Sequence, residues 1–190
     1  MKLKQTDLYG GTIRGAIPEG YADVSLFRQV PDHQEAFVNQ DGEDSLLYDI
    51  LERVPNQGKE AMSAHLEELA DLNGVGQKYT VKDIRPANAS KIEQAEAYIS
   101  IAVEPSNKWG RPDQGEVEHI VAIVVGLVRL EKADSDILIT FNVPFKAAAE
   151  VDAIQKWLQD GPVPERLGEA IQAVEWCIDN FEVKDWSLFG

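Results

Sequence analysis

The stretch from residue 22 to residue 52 reads ADVSLFRQVPDHQEAFVNQDGEDSLLYDILE, and it interleaves carboxylates with apolar side chains. Two partly apolar runs, residues 34–39 and 45–54, flank the Asp-Gly pair at positions 41 and 42. Asp-Gly between two such runs is a strong hairpin signal, so the stretch predicts a pair of antiparallel strands. An acidic surface beside a strand pair is a natural docking place for a basic partner.

The second of these runs also has helical spacing. As a helix, residues 45–54 would place Leu47 and Ile50 on one face, with Asp49 and Glu52 on the other. As a strand, residues three apart point to opposite faces unless a bulge or sharp twist intervenes. The hairpin signal and the shortness of the run favour the strand. The two carboxylates then share a surface only if the strand ends or bulges near Glu52.

Asp49 and Glu52 are the acids on which a functional assignment depends, because they interrupt a run of Leu, Tyr and Ile. In one interpretation they are a polar break that keeps an edge strand from pairing with another chain. In the other they contact a basic partner. The residues alone leave both interpretations open.

The rest of the chain alternates strand and helix patterns. Residues 22–30 predict a helical turn that begins at Asp23 or Ser25. Further strands are predicted at residues 12–17, 78–85, 95–103, 117–130 and 136–143, and helices at residues 60–72, 147–159 and 164–180. The pattern predicts one α+β domain over residues 1–190. We expect a largely antiparallel central sheet flanked by helices on both faces.

Composition narrows the class of partner. There are 18 Lys and Arg against 33 Asp and Glu, for a formal net charge of −15. Nucleic acid and anionic membrane surfaces would be repelled, so neither is an expected partner. A basic protein surface remains as the expected partner, unless the acidity serves solubility alone.

The lone Cys177 excludes an internal disulfide and predicts a buried thiol in a reducing compartment. We expect a monomer.

The sequence offers little for catalysis. His33, His65 and His119 lack zinc-type spacing, and neither a nucleophile motif nor a phosphate-binding glycine loop is present. We therefore expect no enzyme activity, no cofactor and no metal. His65 lies on the apolar face of a predicted helix, which favours a hydrogen-bonded core histidine. The alternative is a small-molecule-binding enzyme with a cleft around His65 or His119.

Two further groups are weaker candidates for partner contact. Asp23, Asp32 and Glu35 are more typical of residues that cap or turn the chain. Lys108 and Trp109 stand in a Gly/Pro-rich loop, where an aromatic beside a cation either anchors an interface or packs back on the protein.

Six ordered blocks resemble the Mog1 family of Ran guanine nucleotide release factors. They are LYGG at residues 8–11, DVSLFRQVPDHQEAFV at 23–38, SLLYDILE at 45–52, NKWGRPD at 107–113, DILITFNVP at 136–144 and SLFG at 187–190.

The resemblance implies a Mog1/PsbP-like α/β/α sandwich. It also implies a protein of the nucleus and cytoplasm that binds GTP-bound or nucleotide-free Ran, promotes nucleotide release and supports nuclear import. Asp49 and Glu52 match acids on the family's Ran-binding surface, which implies that they pair with Lys or Arg of Ran. A structural accessory role like that of PsbP would share the fold but not the function.

Overall fold

A computed structural model describes residues 1–106 and 119–189. Within these residues lie ten strands and three α-helices. The strands are β1 Leu3–Leu8, β2 Ile13–Pro18, β3 Tyr21–Asp23, β4 Gln34–Asn39, β5 Ser45–Glu52, β6 Thr80–Pro86, β7 Glu96–Pro105, β8 Ile120–Leu130, β9 Ser135–Phe145 and β10 Glu182–Val183. The helices are α1 Lys59–Leu72, α2 Ala148–Leu158 and α3 Glu165–Asp179.

Seven of the described strands form the central sheet, in the order β3-β4-β5-β9-β8-β7-β6, and each neighbouring pair is antiparallel. The predicted hairpin is confirmed, because Val38 of β4 pairs with Ser45 of β5 across the Asp-Gly turn. The link between β8 and β9 is also short, and Leu130 pairs with Ser135. The prediction of a largely antiparallel sheet is therefore correct.

The central strands are covered on both faces. Every residue of β8 from Ala122 to Leu130 is buried. Its alternate side chains enter two separate cores: Ile123, Val125 and Leu127 meet α1, whereas the residues between them face the side of α2 and α3. A strand that is buried on both faces has a continuous apolar sequence, so the burial of both faces of β8 was predictable.

A second sheet of three described strands, in the order β1-β2-β10, lies on the α3 side. It is tied to the central sheet through Tyr48 of β5, whose hydroxyl donates to the Ala16 carbonyl at 2.7 Å. The sequence interpretation missed β1, β3 and β10. β1 is mostly exposed and lacks apolar alternation, and β3 and β10 contain only three and two residues.

Two local predictions are refined by the structure. The helical turn expected over residues 22–30 is a single 3₁₀ turn, Val24–Leu26, and the Asp23 carboxylate accepts a hydrogen bond from the Ser25 backbone N–H at 2.7 Å. Cys177 is buried, as predicted. None of the described helices is long and apolar enough to cross a membrane.

Candidate functional site

β5 carries the two acids of the predicted site, and its register decides where they point. Asp49 pairs with Gln34 of β4 on one side and Leu138 of β9 on the other. Strand alternation puts it on the α1 face of the sheet, beside Leu47. It lines a cavity of about 250 Å³ between that face and α1.

Glu52 is the last residue of β5, and it is exposed. The sequence required the strand to end or bulge near this position, and it ends there. Alternation alone would direct Glu52 to the face opposite Asp49, about 10 Å along the strand. Beyond Glu52 the chain turns back toward the α1 face, because the backbone N–H of Val54 donates to Asp136 Oδ2 at 3.1 Å. Within β5 the two carboxylates are three residues apart, with Asp49 half-buried and Glu52 exposed.

The environment of Asp49 is unusual for an acid in so polar a chain. Its carboxylate is half-buried and accepts a hydrogen bond from Gln34 Nε2 at 2.7 Å. Burial raises the pKa of Asp49, while the Gln34 hydrogen bond and the nearby His33 oppose that rise. Among the residues that the structure describes, Asp49 has no ion-pair partner. A desolvated carboxylate without a cation is poised to gain from one that a partner supplies.

The weaker candidates Asp23, Asp32 and Glu35 gather around a second cavity of about 220 Å³, together with Tyr9. Asp23 caps the 3₁₀ turn and Glu35 accepts a hydrogen bond from the Tyr9 backbone N–H, so both have structural roles. Asp32 is exposed. Burial raises the pKa of Glu35 and that of Tyr9, whose ring is near both Glu35 and Asp49. The structure thus brings Glu35 and Asp49 to one neighbourhood around Tyr9.

Lys108 and Trp109 lie outside the described residues, which stop at residue 106 and resume at residue 119. The prediction that they anchor an interface stays a prediction.

His65 is a core histidine, as predicted. It is 1% exposed, and its Nε2 lies 2.9 Å from Asp136 Oδ2. The Asp136 carboxylate also accepts from Arg129 Nε at 2.9 Å. His119 lies just before β8 and does not line the cavity that His65 lines. Because the two histidines do not converge on one cleft, the structure favours no enzyme site around them.

Sequence reasoning missed the cavity beside Asp49. Its walls come from four strands and one helix, and the lining residues are up to 109 positions apart in sequence, from His33 to Asn142. The residues that it overlooked are Gln34, Glu68, Leu69 and Thr140. The only available signal was the hairpin register, which pairs Gln34 with Asp49.

Comparison with known proteins identifies the family of the chain. The family model described as Ran-interacting Mog1 protein matches residues 6–144. The nuclear import protein MOG1 of Saccharomyces cerevisiae is 33% identical over 202 residues, covering 100% of this chain and 86% of that protein. A probable ran guanine nucleotide release factor of Dictyostelium discoideum is 27% identical over 193 residues, covering 98% and 96%.

Solved structures give the same result. The crystal structure of the Saccharomyces cerevisiae Ran-binding protein Mog1p superposes with a TM-score of 0.79 at 32% identity, covering 100% of both chains. Cyanobacterial PsbP from Synechocystis shares the fold alone, with a TM-score of 0.50 at 10% identity over 95% of this chain and 92% of that one. With a matching family model over most of its length and a shared fold over all of it, this chain belongs to the Mog1 family.

Proposed function

We propose that this chain binds the GTPase Ran, promotes release of its guanine nucleotide and thereby supports nuclear protein import. Relatives named nuclear import protein MOG1 and ran guanine nucleotide release factor support this function. The observation that carries the site is the half-buried Asp49 carboxylate in β5, with the exposed Glu52 three residues further on at the end of the strand. The two acids pair with Lys or Arg of Ran.

The two carboxylates would contribute differently to the affinity and to the rate of association at such an interface. Asp49 is already partly desolvated, so a cation that reaches it forms a close pair with little further loss of hydration. Glu52 is exposed, and an exposed rim charge acts mainly on the rate of association and its dependence on salt. Asp23, Asp32 and Glu35 would contribute at the edge of the same acidic region.

Nucleotide release follows from linkage. A release factor binds nucleotide-free or distorted Ran more tightly than loaded Ran, and each ligand then weakens the other by the same factor. In the proposed arrangement Asp49 and Glu52 compete with phosphate for basic groups of Ran. The chain is then a regulator without chemistry of its own. It would act as a monomer in the nucleus and cytoplasm, with no nucleic-acid or membrane partner.

The test substitutes each acid by its amide and measures binding to nucleotide-free, GDP-loaded and GTP-loaded Ran, together with release of a fluorescent nucleotide. We expect Asp49→Asn to weaken binding by about 2–5 kcal/mol, mainly through faster dissociation. Glu52→Gln should mainly slow association. Asp49→Asn should not destabilise the free protein, because burial already disfavours the charged form of Asp49.

Glu67→Gln is the matched control, since Glu67 is an exposed acid on α1 and does not line the cavity beside Asp49. It removes the same charge from the chain and should leave binding and release unchanged. If the double variant Asp49→Asn, Glu52→Gln releases nucleotide at the parent rate, the assignment to these acids is wrong.

A further inference from the structure

The cavity beside Asp49 is shaped like a slot for an aliphatic chain. It lies between α1 and strands β4, β5, β9 and β8, and its volume is about 250 Å³. Its apolar walls are formed by side chains from the helix and the sheet. They are Leu47, Leu51, Leu69, Leu72, Ile123 and Leu138. Leu72, at the end of α1, is 77% exposed, so the slot opens to solvent along an apolar lip.

Two buried polar atoms of the residues that line this slot lack a hydrogen-bond partner. They are Thr140 Oγ1 and His65 Nδ1, on side chains that are 5% and 1% exposed. Buried polar groups are nearly always hydrogen-bonded, because leaving one unpaired costs free energy. Two such atoms on the lining residues of one cavity leave hydrogen-bonding capacity there that an occupant with polar groups would satisfy.

The chemistry of the two atoms limits what that occupant is. The Asp136 carboxylate can only accept, so His65 Nε2 must carry the proton that it shares with Asp136. In the neutral ring Nδ1 is then an acceptor, and the Thr140 hydroxyl can accept as well. Both therefore suit an N–H donor. The carboxylates of Asp49 and Glu68 line the same cavity, which adds negative charge and favours a cation.

We propose that this cavity receives a cationic side chain, Lys or Arg, from Ran. This inference rests on the proposed function and deepens it: the cation does not stop at the acidic surface but enters between β5 and α1. Its aliphatic stem packs on the leucine walls, its charged head meets Asp49, and its N–H groups satisfy Thr140 Oγ1 and His65 Nδ1. Lys and Arg both combine an aliphatic stem with donors and no acceptor.

The decisive variant is Thr140→Val, which keeps the shape of the side chain and removes its hydroxyl. In the free protein the unpaired hydroxyl is a cost, so its removal should raise the Tm by about 2–4 °C. In the complex the hydroxyl has a partner, so its removal should weaken Ran binding about tenfold. Higher stability with lower affinity is a combination that a purely structural role does not produce.

A second variant, Leu69→Trp, fills the slot and leaves both acids of β5 in the sequence. It should speed dissociation from Ran and so weaken the affinity for Ran by at least about tenfold. Val163→Trp is the matched control, because Val163 is 50% exposed between α2 and α3, on the other side of the sheet. Thermal unfolding of each variant shows whether it is folded. If Leu69→Trp does not fold, Thr140→Val still tests the inference.

The outcomes separate this inference from the proposed function. Parent-level affinity in both Thr140→Val and Leu69→Trp, with binding lost in Asp49→Asn, means that the cation stays outside the cavity. The inference is then wrong and the proposed function stands. A less stable Thr140→Val protein would show that the hydroxyl is already bonded in the free chain, which also overturns it. Parent-level binding in the Asp49→Asn, Glu52→Gln double variant overturns this inference and the assignment of the Ran site to these two acids, whereas absence of Ran binding by the parent chain overturns the proposed function.

Discussion

Two partly or fully buried carboxylates of this acidic chain, Asp136 and Asp49, differ in their hydrogen-bond partners and therefore in the direction of their pKa shifts. Burial alone would raise the pKa of Asp136, but hydrogen bonds from His65, Arg129 and the Val54 backbone outweigh burial and lower it. Asp136 is therefore held ionised and organises the α1 side of the core. Asp49, with a single amide donor, has a raised pKa instead. The hydrogen bonds to Asp136 stabilise the fold, whereas the Asp49 carboxylate would be stabilised by a cation that a partner supplies.

Glu104 gives a prediction at this scale. It is 8% exposed on β7 and accepts a hydrogen bond from Asn73 Nδ2 at 2.9 Å. Burial raises its pKa from 4.5 to about 7, and the Asn73 hydrogen bond only partly opposes that. Because the folded state holds a proton that the unfolded state has released, stability falls as pH rises from about 4.5 to about 7.

Glu104→Gln should therefore stabilise the protein by roughly 2 kcal/mol at pH 8, and the gain should vanish near pH 4.5. Urea unfolding at several pH values measures this directly. Glu67→Gln serves as the exposed control, with no pH-dependent gain expected. A Glu104→Gln gain that persists unchanged at pH 4.5 would rule out titration as its cause.

At the scale of elements, the contact between α3 and β8 determines how closely the helix packs on the central sheet. Gly126 lies in the middle of β8, directly under α3. A Cβ there would lie 2.8 Å from Ile178 Cγ1 and 3.0 Å from Val174 Cγ1. Both neighbours are fully buried branched side chains, so neither has room to withdraw. This glycine is kept by the closeness of the helix, not by a turn.

Gly126→Ala should therefore destabilise the protein by about 1–3 kcal/mol through overpacking. Gly168→Ala is the matched control on the helix itself. A Cβ at Gly168 would meet only Val163 Cγ1 at 3.8 Å, and alanine is the better helix former, so a gain of about 0.5–1 kcal/mol is expected. Thermal unfolding of both variants checks the opposite signs, and equal effects would contradict this account of the interface.

At the scale of the whole molecule, charge is the dominant property. A net charge of −15 on 190 residues gives a long-range field that attracts a basic surface well before contact. Such steering speeds association but adds little to the strength of the final contact. Short-range affinity then depends on the recessed Asp49 and the cavity beside it.

Raising the ionic strength from about 0.05 M to about 0.5 M should slow Ran association by roughly tenfold or more, because the Debye length falls from about 14 Å to about 4 Å. Dissociation should change much less, since the Asp49 contact is partly shielded from solvent. Stopped-flow mixing at several salt concentrations resolves the two rates. A salt effect confined to dissociation would mean that steering is unimportant.

The fold class was predictable from the chain alone. Alternation and the Asp-Gly turn predicted the β4–β5 hairpin, and the two-faced apolar run predicted the buried strand β8. Helical periodicity placed α1, α2 and α3 to within one residue at each end. These signals are local, because backbone preference and side-chain periodicity act over a few neighbouring residues. β1 and β10 were missed because short or exposed strands carry little such signal.

By itself, then, the sequence determined the class of fold and the acidic character of the chain, and it favoured a strand over a helix for the run that bears Asp49 and Glu52. Only the tertiary structure decided that Asp49 is recessed and Glu52 exposed, and that Thr140 and His65 lie unsatisfied around the same cavity. The physical reason is that desolvation and hydrogen-bond satisfaction depend on which distant segments meet. The β5–β9 register puts Leu47 beside Thr140, 93 positions away, and no local pattern encodes that encounter.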